Sequence, residues 1–119
     1  MKVCASKKIT VFNKYKGRCA YCGKMTEPHD GDWKPYTFVV DHIDPKANGG
    51  SNAMENLNPS CHRCNAAKKA KTLEDFRFYL ARVQAGVPKF STDQVLWLYD
   101  THGINVTDVP EYLFYFETV

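Results

Sequence analysis

The stretch CHRCNAAKK, residues 61–69, decides how this chain folds. It opens with two cysteines two residues apart, Cys61 and Cys64, and continues in a helical pattern. A second C-x-x-C pair, Cys19 and Cys22, lies 38 residues earlier. Two such pairs can place four thiolates around one ion, which is the ligand set of a tetrahedral structural Zn2+ site. We therefore predict zinc, against the alternatives of a redox dithiol, of a rubredoxin-like iron site, and of cysteines packed as small apolar groups.

The size and cysteine content of the chain fit a small intracellular domain. With 119 residues and 44% hydrophobic residues, we expect one domain over residues 1–119 with a modest core. No apolar run is long enough to span a membrane, and the N-terminus lacks the apolar region of a signal peptide. We therefore expect a cytoplasmic protein, where thiols stay reduced and zinc is the better use of the cysteines. Binding zinc would contribute on the order of 10 kcal/mol to folding.

The charge is unevenly distributed along the chain. The formal net charge is +3, but 13 of the 16 Lys and Arg residues and only 6 of the 13 Asp and Glu residues lie in residues 1–72. A basic front and an acidic back indicate a polyanionic partner for the front half. The alternative is an ordinary solvated surface.

The pattern of apolar residues predicts an α+β arrangement. Helices are expected at residues 6–15, from Cys61 onward, from Thr72 to Gly86 and from Ser91 to Gly103. The last two helices begin with capping-box patterns. Short strands are expected at residues 37–40 and 57–60, and the aromatic tail EYLFYFE is expected to be a strand or extended segment that covers the core.

Polar residues occur where the first strand ends, in VVDHIDP at residues 39–45. If the two strands pair and the helix from Cys61 packs across them, Asp41 and Asn65 come together. Carboxylate and amide oxygens are hard ligands that suit Mg2+ or Mn2+. The side chain of His42 would point the other way from that of Asp41 and could serve as general base for a water. The alternatives are a turn-capping aspartate, a surface histidine and an ordinary helix residue.

Four segments together resemble the HNH endonuclease family: CAYCG, VVDHIDP, NGGSNAMENL and CHRCNAAKK. The resemblance implies a ββα-metal core at about residues 17–75, clamped by the four-cysteine zinc site and flanked by helices. Residues 76–119 would form a helical and aromatic extension of the same HNH nuclease domain.

The resemblance also implies roles for individual residues. Asp41 and Asn65 would bind the catalytic Mg2+ or Mn2+, His42 would be the general base, and Asn56 would hold the loop and help to orient that base. The family is usually drawn with His at the position of Asn65, and an amide oxygen there should favour hard ions. The implied function is a metal-dependent DNA endonuclease that hydrolyses phosphodiester bonds by a one-metal mechanism. The alternative is a zinc-stabilised DNA-binding module without chemistry.

The expected partner is double-stranded DNA, in a bacterial nucleoid or a phage-infected cell. A single site would nick the duplex, or the chain would form a homodimer to cut both strands. Relatives of this size include phage and mobile-element nucleases. Four basic side chains are expected to line the DNA backbone, or else to form a solvated helix face: Arg63, Lys68, Lys69 and Lys71.

Overall fold

A computed structural model describes residues 3–119 of the chain. Its helices are α1 (Ala5–Asn13), α2 (His62–Lys68), α3 (Leu73–Gln84) and α4 (Thr92–His102), and its strands are β1 (Phe38–His42) and β2 (Leu57–Cys61). Short 3-10 turns lie at Lys46–Asn48, Met54–Asn56 and Tyr115–Glu117. The expected α+β class is confirmed.

The two strands form an antiparallel hairpin. The register pairs Phe38 with Cys61, Asp41 with Asn58, and His42 with Leu57. Every residue of β2 is buried, because α1 contacts both strands and the turn after α1 also contacts β2. That turn donates a hydrogen bond from the backbone N–H of Ala20 to the carbonyl of Pro59 (2.9 Å).

Helix α2 follows β2 without a connecting loop, which fixes its position against the hairpin. Cys61 is at once the last residue of β2 and the N-cap of α2, and its sulfur accepts a hydrogen bond from the backbone N–H of Cys64. The second cysteine pair therefore lies at the junction between strand and helix. Any side chain on the inner face of α2 is carried toward the end of β1.

The C-terminal tail forms no strand, which was one of the two conformations expected for it, and its residue Phe114 is extended. It ends in the 3-10 turn Tyr115–Glu117, and its backbone N–H groups at Tyr115 and Phe116 donate to the carbonyls of Tyr21 (3.1 Å) and Ala20 (2.9 Å). These carbonyls belong to a turn, which offers acceptors but no extended edge for a strand to pair with. The tail nevertheless contributes to the core, since Phe114 is fully buried.

The chain divides into two compact units. The first runs to Phe76 and includes Leu113–Val119, and the second is Arg77–Tyr112. The second unit contains most of α3 and all of α4. Helix α4 begins with the predicted capping box at Ser91 and ends at Gly103, whose left-handed conformation (φ 65°) suits glycine. No helix in residues 3–119 is long and apolar enough to cross a bilayer.

Candidate functional site

The four cysteines of the two pairs meet in the first unit. The sulfur atoms of Cys19, Cys22, Cys61 and Cys64 all lie within 4.8 Å of one another. The Sγ atoms of Cys22 and Cys61 are 3.8 Å apart, and a tetrahedral site with Zn–S bonds of about 2.3 Å has sulfurs about 3.8 Å apart. The four sulfurs are therefore close enough together to hold one metal ion.

The chemistry of the cluster also suits a cation. Contacts from the sulfurs of Cys22, Cys61 and Cys64 hold the pKa of the Cys19 thiol well below its usual range. The pKa of Cys64 is raised, first of all by its contact with Cys19. Four crowded thiols cannot all ionise without a positive charge between them, and a divalent metal supplies that charge.

A second site lies at the end of β1. Asp41, His42 and Asn65 line one cavity of about 220 Å³, together with the rim lysines Lys46 and Lys69. Adjacent side chains of a strand usually point to opposite faces. Here both Asp41 and His42 border the cavity, and His42 is the last residue of β1.

Asp41 is held by two buried side chains. Its carboxylate is 4% exposed, and its Oδ2 atom accepts a short hydrogen bond from the hydroxyl of Tyr21. The Nζ atom of Lys68 lies 3.3 Å from the same oxygen. Both contacts fall on Oδ2, so they leave Oδ1 as the oxygen that can bind a ligand in the cavity. Burial raises the pKa of Asp41, and the hydrogen bond from Tyr21 and the charge of Lys68 act against that rise.

His42 is oriented by Asn52, a residue outside the set predicted from the sequence. Its Nε2 atom lies 2.7 Å from Oδ1 of Asn52, and in the tautomer that carries its proton on Nε2 the ring donates a hydrogen bond to that amide oxygen. The other nitrogen, Nδ1, is then a free base. The loop that carries Asn52 is in turn joined to α1, because Nζ of Lys7 donates to the carbonyl of Asn52 (2.6 Å).

The two remaining asparagines have different surroundings. The side chain of Asn65 makes no hydrogen bond within residues 3–119, although it is half-buried and borders the cavity. The side chain of Asn56 is fully engaged in the loop between the strands. It accepts from the N–H of Asp44 (2.8 Å) and donates to the carbonyls of Asp44 (3.1 Å) and Ser51 (2.8 Å). Asn56 therefore closes the loop that leads away from His42.

The prediction that Lys68 lines the DNA backbone is wrong. Its side chain is fully buried, and Nζ donates to the carbonyls of His42 (2.9 Å) and Ile43 (3.2 Å) besides contacting Asp41. Lys68 follows Cys64 by four residues and Asn65 by three, and such spacings place side chains on one face of a helix. That spacing was the available sequence signal, because the face that carries Cys64 inward also carries Lys68 inward.

The other three basic residues predicted to contact DNA are not buried. Arg63 and Lys69 are exposed, and Lys69 stands at the rim of the cavity. Lys71 is half-buried, and its Nζ donates to the carbonyl of Ala67 (2.8 Å) near the end of α2. Of the four, Lys69 is therefore the best placed to meet a molecule that enters the cavity.

Comparison with known proteins finds a family that resembles part of the chain. Residues 19–71, here called the HNH segment, match the family model described as HNH endonuclease. The match covers less than half of the chain. A protein described as CRISPR-associated endonuclease Cas9, from Corynebacterium diphtheriae, is 46% identical over 55 residues, which cover 43% of this chain. The chain spans about 4% of the length of that relative.

The HNH segment contains the residues of both sites, but some of the residues that hold them in place lie outside it. The four cysteines, the cavity residues, Tyr21, Asn52 and Lys68 lie inside it. Helix α1, which holds the loop of Asn52, precedes it, and the C-terminal tail, which packs on Tyr21, follows it. The resemblance inferred from the sequence is thus confirmed for residues 19–71, and the flanking segments add contacts that the family match does not cover.

Proposed function

We propose that the chain is a metal-dependent DNA endonuclease that hydrolyses phosphodiester bonds. The observation that carries the proposal is that Asp41, His42 and Asn65 border one cavity inside the segment that matches the HNH family. The three side chains supply a carboxylate oxygen, an imidazole and an amide oxygen. That is a sufficient set for a one-metal hydrolytic site.

The donor atoms fit a hard divalent cation. Oδ1 of Asp41 and the side-chain oxygen of Asn65 would hold Mg2+ or Mn2+, and two protein ligands leave positions for water and for a substrate phosphate. The bound ion would stabilise charge on the phosphate and on the leaving oxygen. The amide of Asn65 supports this assignment, because it borders the cavity and makes no hydrogen bond to another residue of 3–119.

His42 would act as the general base. The hydrogen bond from Nε2 to Asn52 orients the ring and leaves Nδ1 to take a proton from an attacking water. Asn56 would keep the loop that carries Asn52 closed against the strand end. Lys69 and Lys46 at the rim would contact the phosphate backbone and position the duplex without reading its sequence.

The four-cysteine cluster would hold zinc in a structural role. Four thiolates with no place for a water are typical of structural zinc, whereas catalytic zinc keeps an open position. The ion would fix the turn of Cys19 against the junction of β2 and α2, and with it the position of Asn65, the residue after Cys64.

One contact favours the second candidate, a zinc-stabilised DNA-binding module without chemistry. Lys68 already provides a positive charge for Asp41, so the carboxylate does not need a metal ion to be compensated. Both candidates predict DNA binding that weakens steeply with salt. Only the endonuclease predicts that bound DNA is cut.

A plasmid-nicking assay with the zinc-loaded chain separates the two. Wild-type protein should convert supercoiled DNA to the nicked or linear form with Mg2+ or Mn2+, and His42→Ala should be at least about 100-fold slower. His29→Ala is the matched control, since His29 is exposed and lies in the loop before β1. DNA binding without cleavage by the wild type would favour the binding module, and equal rates for wild type and His42→Ala would remove His42 from the mechanism.

A further inference from the structure

Tyr21 lies at the centre of an aromatic cluster that joins the HNH segment to the end of the chain. The residue is fully buried. Its ring meets those of Phe76 and Phe114 edge-on, each with a centroid distance of 5.3 Å, and that of Phe116 at 6.2 Å. These three partners lie beyond residue 71, where the family match ends.

The hydroxyl of Tyr21 leaves this apolar cluster on the side of the cavity site. It donates to Oδ2 of Asp41, the carboxylate that borders the cavity. Burial, followed by the charge of Asp41, raises the pKa of Tyr21, so the hydroxyl keeps its proton and remains a donor. Tyr21 and Lys68 both contact Oδ2, and together they fix the rotation of the carboxylate about its Cβ–Cγ bond.

The tail also holds the backbone of Tyr21. Tyr115 donates to the carbonyl of Tyr21, and Phe116 donates to the carbonyl of the preceding residue, Ala20. Ring packing fixes the direction of the Tyr21 side chain, and these two bonds fix its Cα. The direction in which Oδ1 of Asp41 points is therefore set partly by residues 113–119.

We propose that Tyr21 is a positioning residue for the catalytic metal ion, and that the C-terminal tail acts on the site through Tyr21. The proposal rests on the proposed function, because it assumes a divalent ion at Asp41. It adds that the HNH segment is incomplete without the tail. A rigid, correctly aimed ligand binds an ion more tightly than one that must be ordered on binding.

Tyr21→Phe tests the positioning role of Tyr21, because it removes the hydroxyl and keeps the ring. Mn2+ affinity is measured by electron paramagnetic resonance on the zinc-loaded full chain, and DNA nicking is measured as a function of DNA concentration. We expect about tenfold weaker Mn2+ binding, since a hydrogen bond to a charged group is lost. We also expect kcat to fall at saturating DNA with little change in KM. Mn2+ binding that is unchanged within twofold, or tighter, overturns the proposal.

Phe114→Leu tests whether the C-terminal tail acts on the site through Tyr21. Leu113→Ala is the control, because Leu113 is the exposed neighbour of Phe114. Phe114→Leu should weaken Mn2+ binding in the wild-type background and have no further effect in the Tyr21→Phe background, where the tail has lost its route to Asp41. Equal effects in both backgrounds would overturn the role of Tyr21 as intermediary. If Phe114→Leu does not fold, Phe116→Leu replaces it, since its ring also contacts Tyr21 but is only half-buried.

The outcomes separate this proposal from the proposed function. A wild-type chain that neither binds Mn2+ nor nicks DNA contradicts both. A wild-type chain that does both, with variants that match it, contradicts the positioning role alone.

Discussion

Lys68 and Lys69 are neighbours in sequence, yet the structure gives them opposite roles, and replacing each by methionine should show it. Lys68 is fully buried, with Nζ 3.3 Å from Asp41 Oδ2 and hydrogen-bonded to the carbonyls of His42 and Ile43. Lys69 is exposed at the rim of the cavity. Methionine keeps most of the length and apolar volume of lysine, so the two variants differ from wild type mainly in charge and hydrogen bonds.

The expected loss of stability follows from what Lys68→Met leaves behind. The buried carboxylate of Asp41 keeps only its bond from Tyr21, and removing one partner of a buried ion pair costs about 3–5 kcal/mol. Small domains have total stabilities of about 5–15 kcal/mol, so the loss is a large fraction. With a urea dependence of about 2 kcal/mol per molar, the unfolding midpoint should fall by about 2 M. Lys69→Met should change stability by less than about 0.5 kcal/mol.

Two assays on the zinc-loaded chain test this expectation. Urea unfolding is followed by zinc release to a coloured chelator, which reports on the first unit. Binding of a DNA duplex is measured at several salt concentrations, and the slope of log affinity against log salt should shrink by about 1 for Lys69→Met and stay unchanged for folded Lys68→Met. If Lys68→Met unfolds at the same urea concentration as wild type, or reduces the salt slope as Lys69→Met does, the buried role of Lys68 is refuted.

Three further changes test other parts of the structure. Cys61→Ser removes one sulfur from the four-cysteine cluster and should abolish stoichiometric zinc binding, as measured by elemental analysis. The first unit should also lose most of its cooperative unfolding, since structural zinc contributes on the order of 10 kcal/mol to folding. Retention of one zinc per chain would contradict the assignment. Asn52→Ala should slow DNA nicking about tenfold at unchanged thermal stability, because the ring of His42 loses its oriented tautomer, and an unchanged nicking rate would show that Asn52 does not position the base. Gly50→Ala should destabilise the fold by at least about 2 kcal/mol in urea unfolding, because its Cβ would lie 1.7 Å from the carbonyl oxygen of Asp44; wild-type stability would mean that this loop is not closed as described.

The parts of the fold that depend on local sequence signals could be predicted. The cysteine pairs, the two strands and the helix from Cys61 are set by spacing and by short apolar runs, and each is found where the pattern placed it within a few residues. The capping box at Ser91 is likewise local, because its two hydrogen bonds join residues three apart. Signals of this kind do not require knowledge of what packs against the segment.

The contacts that hold the site residues in place could not be predicted in the same way, because they join residues distant in sequence. Tyr21 contacts Asp41 across 20 residues, and Lys7 contacts Asn52 across 45. Nothing in the sequence near Tyr21 says that its hydroxyl will face a carboxylate. The 3-10 turn of the tail could not be predicted for a related reason, since the tail donates to carbonyls of a turn that is distant in sequence.

The charges around Asp41 would make the proposed site both preformed and attractive to a phosphodiester. A lone buried carboxylate would be costly, and Lys68 offsets that cost before any ion arrives, so the cavity needs no rearrangement to receive one. With the proposed divalent ion bound at Oδ1, one negative charge then stands against three positive ones, and the exposed Lys69 adds a fourth at the rim. The excess is positive, and a phosphate that enters the cavity is its natural counter-charge. Replacing Lys68 by a neutral residue would therefore remove the charge that offsets Asp41 within the fold, and it would leave the charge of Lys69 at the rim unchanged.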